Sequence, residues 1–127
     1  MTTSTLAKGL ALGRVAFGAA MLAKPEGVAR GWIGRRAASY GGTQAVTRAC
    51  GARDLSLGAG ALGALASGED ARDWVLAGAF ADAADLVATV TGEDIPLTGR
   101  LLIVGLAGAA IAVSVAYTAD RSNASAQ

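Results

Sequence analysis

The chain has 127 residues, enough for one domain, of which 53% are apolar and 17% are charged. A disordered chain is therefore excluded, because such chains are poor in apolar residues and rich in charge. The net charge is only +1, so we expect no nucleic-acid partner. Histidine is absent and Cys50 is the single cysteine, which excludes an internal disulfide and a multi-cysteine zinc site. We expect no cofactor and no catalytic constellation.

Four apolar segments follow one another along the chain, and they predict an all-α bundle of four transmembrane helices. The last segment is the strongest, because residues 101–119 contain no charge and can cross about 30 Å of hydrocarbon. We treat residues 1–127 as one membrane domain with a polar tail at 120–127. The predicted spans are residues 5–23, 44–67, 74–91 and 99–118.

Helices are favoured over strands because the segments do not alternate apolar and polar residues. Small residues recur four positions apart, a spacing that allows membrane helices to pack closely. The alternative is a soluble, alanine-rich four-helix bundle, which would need a polar face that the last segment lacks. The small-residue pairs are Gly9 and Gly13, Ala59 and Gly63, Ala77 and Ala81, and Gly105 and Ala109.

The aromatic residues support the membrane interpretation. Tryptophan and tyrosine are enriched at membrane–water boundaries. The segment middles contain Phe17 and Phe80. The predicted boundary residues are Trp32 and Tyr40 in the first connection, Trp74 at the start of the third segment and Tyr117 at the end of the fourth.

The first segment also has a second interpretation, a cleavable signal peptide. Arg14 argues against it, because a charge would interrupt the apolar region that such a peptide needs.

The first connection is rich in Lys and Arg, so we expect it in the cytoplasm, with both termini outside. Its basic residues are Lys24, Arg30, Arg35 and Arg36.

Two structures are open for this first connection. Pro25 is suited to begin a short helix that reaches about Tyr40 and lies on an anionic membrane surface. In that helix, Val28 and Trp32 would share the apolar face. The alternative is a basic loop whose only role is to fix the topology.

Charged residues within the spans are predicted to meet in one layer. At about 1.5 Å per residue, five of them lie roughly 10–18 Å from the cytoplasmic surface. Arg48 lies somewhat shallower, where it would balance the charge of the layer. The layer is either an ion-paired structural cluster or a path for protons or cations with one titrating carboxylate. The five residues are Arg14, Arg53, Asp54, Asp82 and Asp85.

The run from Arg48 to Gly58, which includes G-x-R-D-x-x-x-G, is followed by Trp74 and the D-x-x-D stretch at 82–85. This pattern resembles small four-helix integral membrane proteins of unknown function found in actinobacteria. The resemblance implies the architecture and no activity. We expect a non-enzymatic structural or accessory protein whose partners are the lipid bilayer and either a second copy or other membrane helices. The alternative is a small oligomeric ion- or proton-coupled transporter.

Overall fold

A computed structural model describes residues 1–126, and this part of the chain folds into helices without a strand. The prediction of an all-α protein is confirmed. Alanine and leucine, both strong helix formers, dominate the long segments. The helices are α1 (Thr3–Ala23), α2 (Pro25–Ile33), α3 (Arg35–Ala38), α4 (Gly41–Ser67), α5 (Arg72–Thr91) and α6 (Leu97–Ser125).

The four long helices form an antiparallel ring in which α1 contacts α4, α4 contacts α5, α5 contacts α6 and α6 returns to α1. The short helices α2 and α3 lie at one end of this ring, together with the connection between α5 and α6. At the opposite end, the Thr3 hydroxyl donates a hydrogen bond of 2.6 Å to Asp120. The first turn of α1 therefore lies beside the last turns of α6.

Three of the long helices, α1, α5 and α6, are long and apolar enough to cross a membrane. Helix α4 has 27 residues, so its length suffices as well. Its composition is less apolar, because Arg53 and Asp54 lie in its middle among several glycines. The count of four spans therefore stays a prediction.

The contact between α1 and α4 follows an alternating spacing of four and three residues. This spacing is typical of helices that cross at a shallow angle. The buried residues of α1 are Ala7, Ala11, Arg14, Gly18 and Met21. Those of α4 are Thr47, Gly51, Asp54, Gly58, Ala61 and Ala64.

Glycine brings the backbones of α1 and α4 into direct contact. A Cβ atom added at Gly51 would lie 2.8 Å from the carbonyl oxygen of Gly18 and 2.7 Å from Cβ of Met21. A Cβ atom at Gly58 would lie 2.7 Å from the carbonyl oxygen of Ala11. No side chain fits between the two helices at these positions.

Of the eight small residues that the sequence singled out in pairs, Ala81 is buried and the other seven are exposed. Gly9, Gly13, Gly63 and Gly105 have no atom within 4 Å of an added Cβ. They do not mediate close helix packing within this chain. In a chain with so many small residues, spacing alone does not identify the face that meets a neighbour.

The turn between α4 and α5 is fixed by local hydrogen bonds. Gly68 ends α4 with a φ of 75°, a left-handed conformation that glycine adopts without a steric cost. The backbone N–H of Arg72 donates to Asp70 over 3.0 Å, and this hydrogen bond lowers the pKa of the Asp70 carboxyl. The Arg72 guanidinium, 2.6 Å from the same carboxylate, acts in the same direction.

The first connection is helical from Pro25 to Ile33, so an irregular loop is wrong for these residues. The predicted short helix begins at Pro25, as expected, but it ends at Ile33 and does not continue to about Tyr40, because Gly34 breaks it with a φ of 88°. The Trp32 indole N–H donates to the Thr89 hydroxyl over 2.9 Å, which holds α2 against the end of α5.

Tyr117 of α6 faces the interior of the bundle, and its position at a membrane boundary stays a prediction. Its side chain is 2% exposed and packs in a cluster with Ala7, Ala64 and Val75. It lies three residues after the buried Ser114, on the face of α6 that meets the bundle. Trp74, in contrast, is 44% exposed.

Replacing Gly51 with alanine is expected to destabilise the protein, because the added methyl group overlaps α1. Overpacking of this kind costs about 1–3 kcal/mol. The matched control is Gly63→Ala, which adds the same methyl group to an open surface of α4. Thermal unfolding in detergent should show a lower midpoint for Gly51→Ala and an equal or higher midpoint for Gly63→Ala. Equal midpoints for the two variants would contradict the close backbone contact.

Candidate functional site

Five charged side chains from α1, α4 and α5 form a continuous chain of ion pairs in the middle of the bundle. The Arg14 guanidinium of α1 pairs with Asp82 of α5 and lies 3.5 Å from Asp54 of α4. Arg53 lies 3.1 Å from the same Asp54 and 2.6 Å from Asp85 of α5. We call these five residues the charged layer.

Helical spacing explains why these residues meet. Arg14 and Asp54 occupy buried positions of the facing surfaces of α1 and α4. Arg53, one residue earlier, points to the side and reaches across to α5. Asp82 and Asp85 are three residues apart, so they share one face of α5.

Gly78 provides the space in which the Arg14 side chain crosses to α5. A Cβ atom at Gly78 would lie 2.9 Å from Nη2 of Arg14 and 3.1 Å from its Cζ. The guanidinium therefore lies directly over the backbone of α5, one turn before Asp82.

The layer is driest at Arg14 and Asp54, whose side chains are each 9% exposed. The outer pair is more open, with Arg53 32% and Asp85 24% exposed. This outer pair is bidentate, because the two terminal nitrogens of Arg53 donate to the two oxygens of Asp85 over 3.0 and 2.6 Å. Such fork-to-fork pairs fix orientation as well as distance.

Arg48 does not join the layer, and its predicted place there is corrected. Its side chain is exposed, and within residues 1–126 it makes no ion pair. At about 100° per residue, it lies about 140° around α4 from Arg53 and about 120° from Asp54. The layer therefore contains two positive and three negative side chains.

A cleft of about 480 Å³ opens between α1 and α6 and ends at the charged layer. Four members of the layer form its floor: Arg14, Asp54, Asp82 and Asp85. Its walls are apolar and include Gly9, Gly13 and Phe17 from α1 and Ile103, Leu106 and Ala110 from α6.

The sequence did not reveal this cleft. Gly9 and Gly13 lack side chains on the face of α1 that turns toward α6, and this absence leaves the space open. The two glycines are visible in the sequence, but they indicate a cleft only once α6 is known to lie opposite this face of α1.

The chain matches no protein-family model, no curated protein and no solved structure. The site is therefore interpreted from its own geometry. In the described part of the chain, no group of three His, Cys, Asp or Glu side chains is arranged to hold a metal ion.

Breaking the pair of Arg14 and Asp82 is expected to be costly and non-additive. Removing one partner leaves a buried charge, which costs about 3–5 kcal/mol. Asp82→Asn and Arg14→Gln should each destabilise the protein, and the double variant should lose less than the sum of the two, by about 0.5–3 kcal/mol. The measurement is thermal unfolding in detergent.

The control for this cycle is Arg48→Gln, which removes an exposed arginine of α4 and should leave the free energy of unfolding nearly unchanged. Strict additivity of Asp82→Asn and Arg14→Gln would show that the two side chains do not act as one unit.

Proposed function

We propose that the chain is an integral membrane protein whose four long helices all span the bilayer. Helices α1, α5 and α6 have the required length and apolar composition. Helix α4 packs among them, and its mid-helix charges Arg53 and Asp54 are paired with other residues of the layer. Charges inside a membrane are tolerated in this arrangement, facing the interior and paired.

The outer surface of the bundle supports the same proposal. Large apolar side chains point outward along the helices, among them Phe80, which is 78% exposed, and Leu106, which is 54% exposed. Lipid is a suitable solvent for such a surface, whereas water is not. The soluble-bundle alternative would leave all of these side chains in water.

The proposed orientation places the end with α2 and α3 in the cytoplasm and both termini outside. Arg100 lies at this end too, where its guanidinium donates to the carbonyl oxygen of Gly92 over 2.6 Å. Short cytoplasmic connections carry an excess of Lys and Arg. The basic residues at this end are Lys24, Arg30, Arg35, Arg36 and Arg100, with Arg48 in the second turn of α4, against Lys8 in the second turn of α1 and Arg72 and Arg121 at the other.

Fusions of alkaline phosphatase test this orientation, since the enzyme is active only outside the cytoplasm. A fusion after Gly68 and another after Gln127 should be active, and a fusion after Asp94 should be inactive. The reverse pattern in equally expressed fusions would overturn the orientation. Release of the untagged protein from membranes by alkaline carbonate would instead favour the soluble bundle.

Within this membrane setting, we propose a structural or accessory role that works through helix association and involves no catalysis. The observation that carries it is the outer face of α6, where Gly105, Gly108 and Ala112 form one stripe at helical spacing. All three are exposed, and neither glycine has an atom within 4 Å of an added Cβ. Membrane helices associate through such faces, because small residues let two backbones approach closely.

This role agrees with the resemblance to small four-helix membrane proteins of actinobacteria, which adds no activity of its own. The proposed partner of the stripe is a second copy of the chain, and other membrane helices are the alternative partner. Membership of that family is part of the proposal.

Disulfide formation between copies tests the association in reconstituted vesicles. In a Cys50→Ser background, Ala112→Cys is expected to cross-link under mild oxidation, while Ala77→Cys on the exposed face of α5 should not. Adding Gly108→Leu should abolish the cross-link, whereas Gly63→Leu, an equal change on an open face of α4, should leave it intact. Equal cross-linking with and without Gly108→Leu would contradict the proposed interface.

A small oligomeric ion- or proton-coupled transporter is the second candidate. One observation favours it, namely that Asp82 and Asp85 line the cleft and are not sealed inside the bundle. Liposomes with an internal pH-sensitive dye separate the two roles. Proton flux above that of empty vesicles, abolished by Asp85→Asn in a folded protein, would replace the helix-association role.

A further inference from the structure

The cleft between α1 and α6 is not lined by Gly105, Gly108 or Ala112 of the proposed stripe, and it has the features of a binding site. Its volume of about 480 Å³ falls within the range of small-molecule sites. Its walls are apolar, and its few polar groups converge at one end. Sites for small organic molecules combine these two properties.

The charged side chains at the floor of the cleft determine whether it favours a cation or an anion. Three carboxylates, Asp54, Asp82 and Asp85, face the cleft together with one guanidinium, that of Arg14. Arg53, the other guanidinium of the charged layer, does not line the cleft. The layer as a whole carries one more negative than positive side chain, and a net charge in an apolar surrounding is costly without a counter-charge.

Two carboxylate oxygens at the floor accept no hydrogen bond within residues 1–126, Oδ2 of Asp54 and Oδ1 of the more exposed Asp82, and the latter is the better placed to meet that counter-charge. Arg14 donates to Oδ2 of Asp82, and Oδ1 accepts no hydrogen bond within residues 1–126. No fully buried side-chain oxygen of the described chain lacks a hydrogen-bond partner, so Oδ1 keeps some exposed surface. Since Asp82 lines the cleft, this oxygen is available to a group that enters it.

We propose that this cleft binds a lipophilic cation, a molecule with an apolar body and one positive charge. The body lies between Phe17 of α1 and the face of α6 that carries Ile103 and Leu106. The charge lies near Oδ1 of Asp82. The exposed rim at Leu106 faces lipid in the proposed membrane location, so the ligand enters from the bilayer. The inference rests on that location for its route of entry and does not depend on association between copies.

Substitution of a glycine in its wall is a selective way to fill the cleft. Gly13 lines it and has no atom within 4 Å of an added Cβ. A leucine at this position is expected to extend into the cleft, since its Cβ meets no neighbouring atom. Gly63→Leu is the matched control, because Gly63 has the same open surroundings and does not line the cleft.

Equilibrium dialysis of the purified protein in detergent tests the proposal with two ions of nearly equal size and shape, radiolabelled tetraphenylphosphonium and tetraphenylborate. The cation should bind saturably, and the anion should show only the linear uptake of protein-free micelles. Gly13→Leu should weaken binding of the cation at least about tenfold, the equivalent of 1.4 kcal/mol, while Gly63→Leu should leave it unchanged.

A second pair of variants tests the role of charge. Asp82→Asn should weaken cation binding, whereas Asp73→Asn, at the exposed start of α5, should not. Saturable binding of both ions alike, or wild-type affinity in the folded Gly13→Leu protein, would overturn the proposal, as would linear uptake of both ions. Cross-linking through Ala112→Cys is measured separately, so failure of the cation site is distinguishable from failure of helix association.

Discussion

The chain of ion pairs through Arg14, Asp54 and Arg53 to the two carboxylates of α5 is the interaction on which the bundle depends. The helix interfaces are built mainly of alanine and glycine, whose small side chains provide few features that prevent one helix from sliding along another. A slide of α5 by one turn would separate Asp82 from the buried guanidinium of Arg14 and leave this carboxylate without its ion-pair partner. The charged layer therefore fixes the register that the small residues leave open.

The same packing explains why a cleft exists. Backbone contact at Gly18, Gly51 and Gly58 holds α1 tightly against α4, and α6 packs chiefly against α5. The bundle is thus a pair of helix hairpins that the charged layer joins near the middle. Where α1 and α6 face each other, Gly9 and Gly13 provide no side chains to fill the gap, so the space extends inward to the layer.

Much of this arrangement was predictable because a helix has a uniform rise. Counting residues from the ends of the segments placed the five residues of the charged layer at one depth, and the structure joins them in one chain of ion pairs. The face of the helix on which each residue lies was harder to predict, and Arg48 lies on the exposed face of α4. Close packing at Gly51 and the burial of Tyr117 depend on the neighbouring helix, which no local pattern specifies. The cleft depends on the separation of α1 and α6, two helices far apart in sequence.

The distribution of charge between the two hairpins has a consequence for synthesis of the protein. The first hairpin, α1 with α4, contributes Arg14, Arg53 and Asp54 to the layer and so carries one excess positive charge. The second contributes only the carboxylates of α5. Because a ribosome delivers the N-terminal hairpin first, Arg53 reaches the bilayer before its bidentate partner Asp85 does. In the proposed membrane setting, the ion pairs of the first hairpin are therefore completed only when the second hairpin inserts. The order of translation thus affects the order in which the fold is assembled.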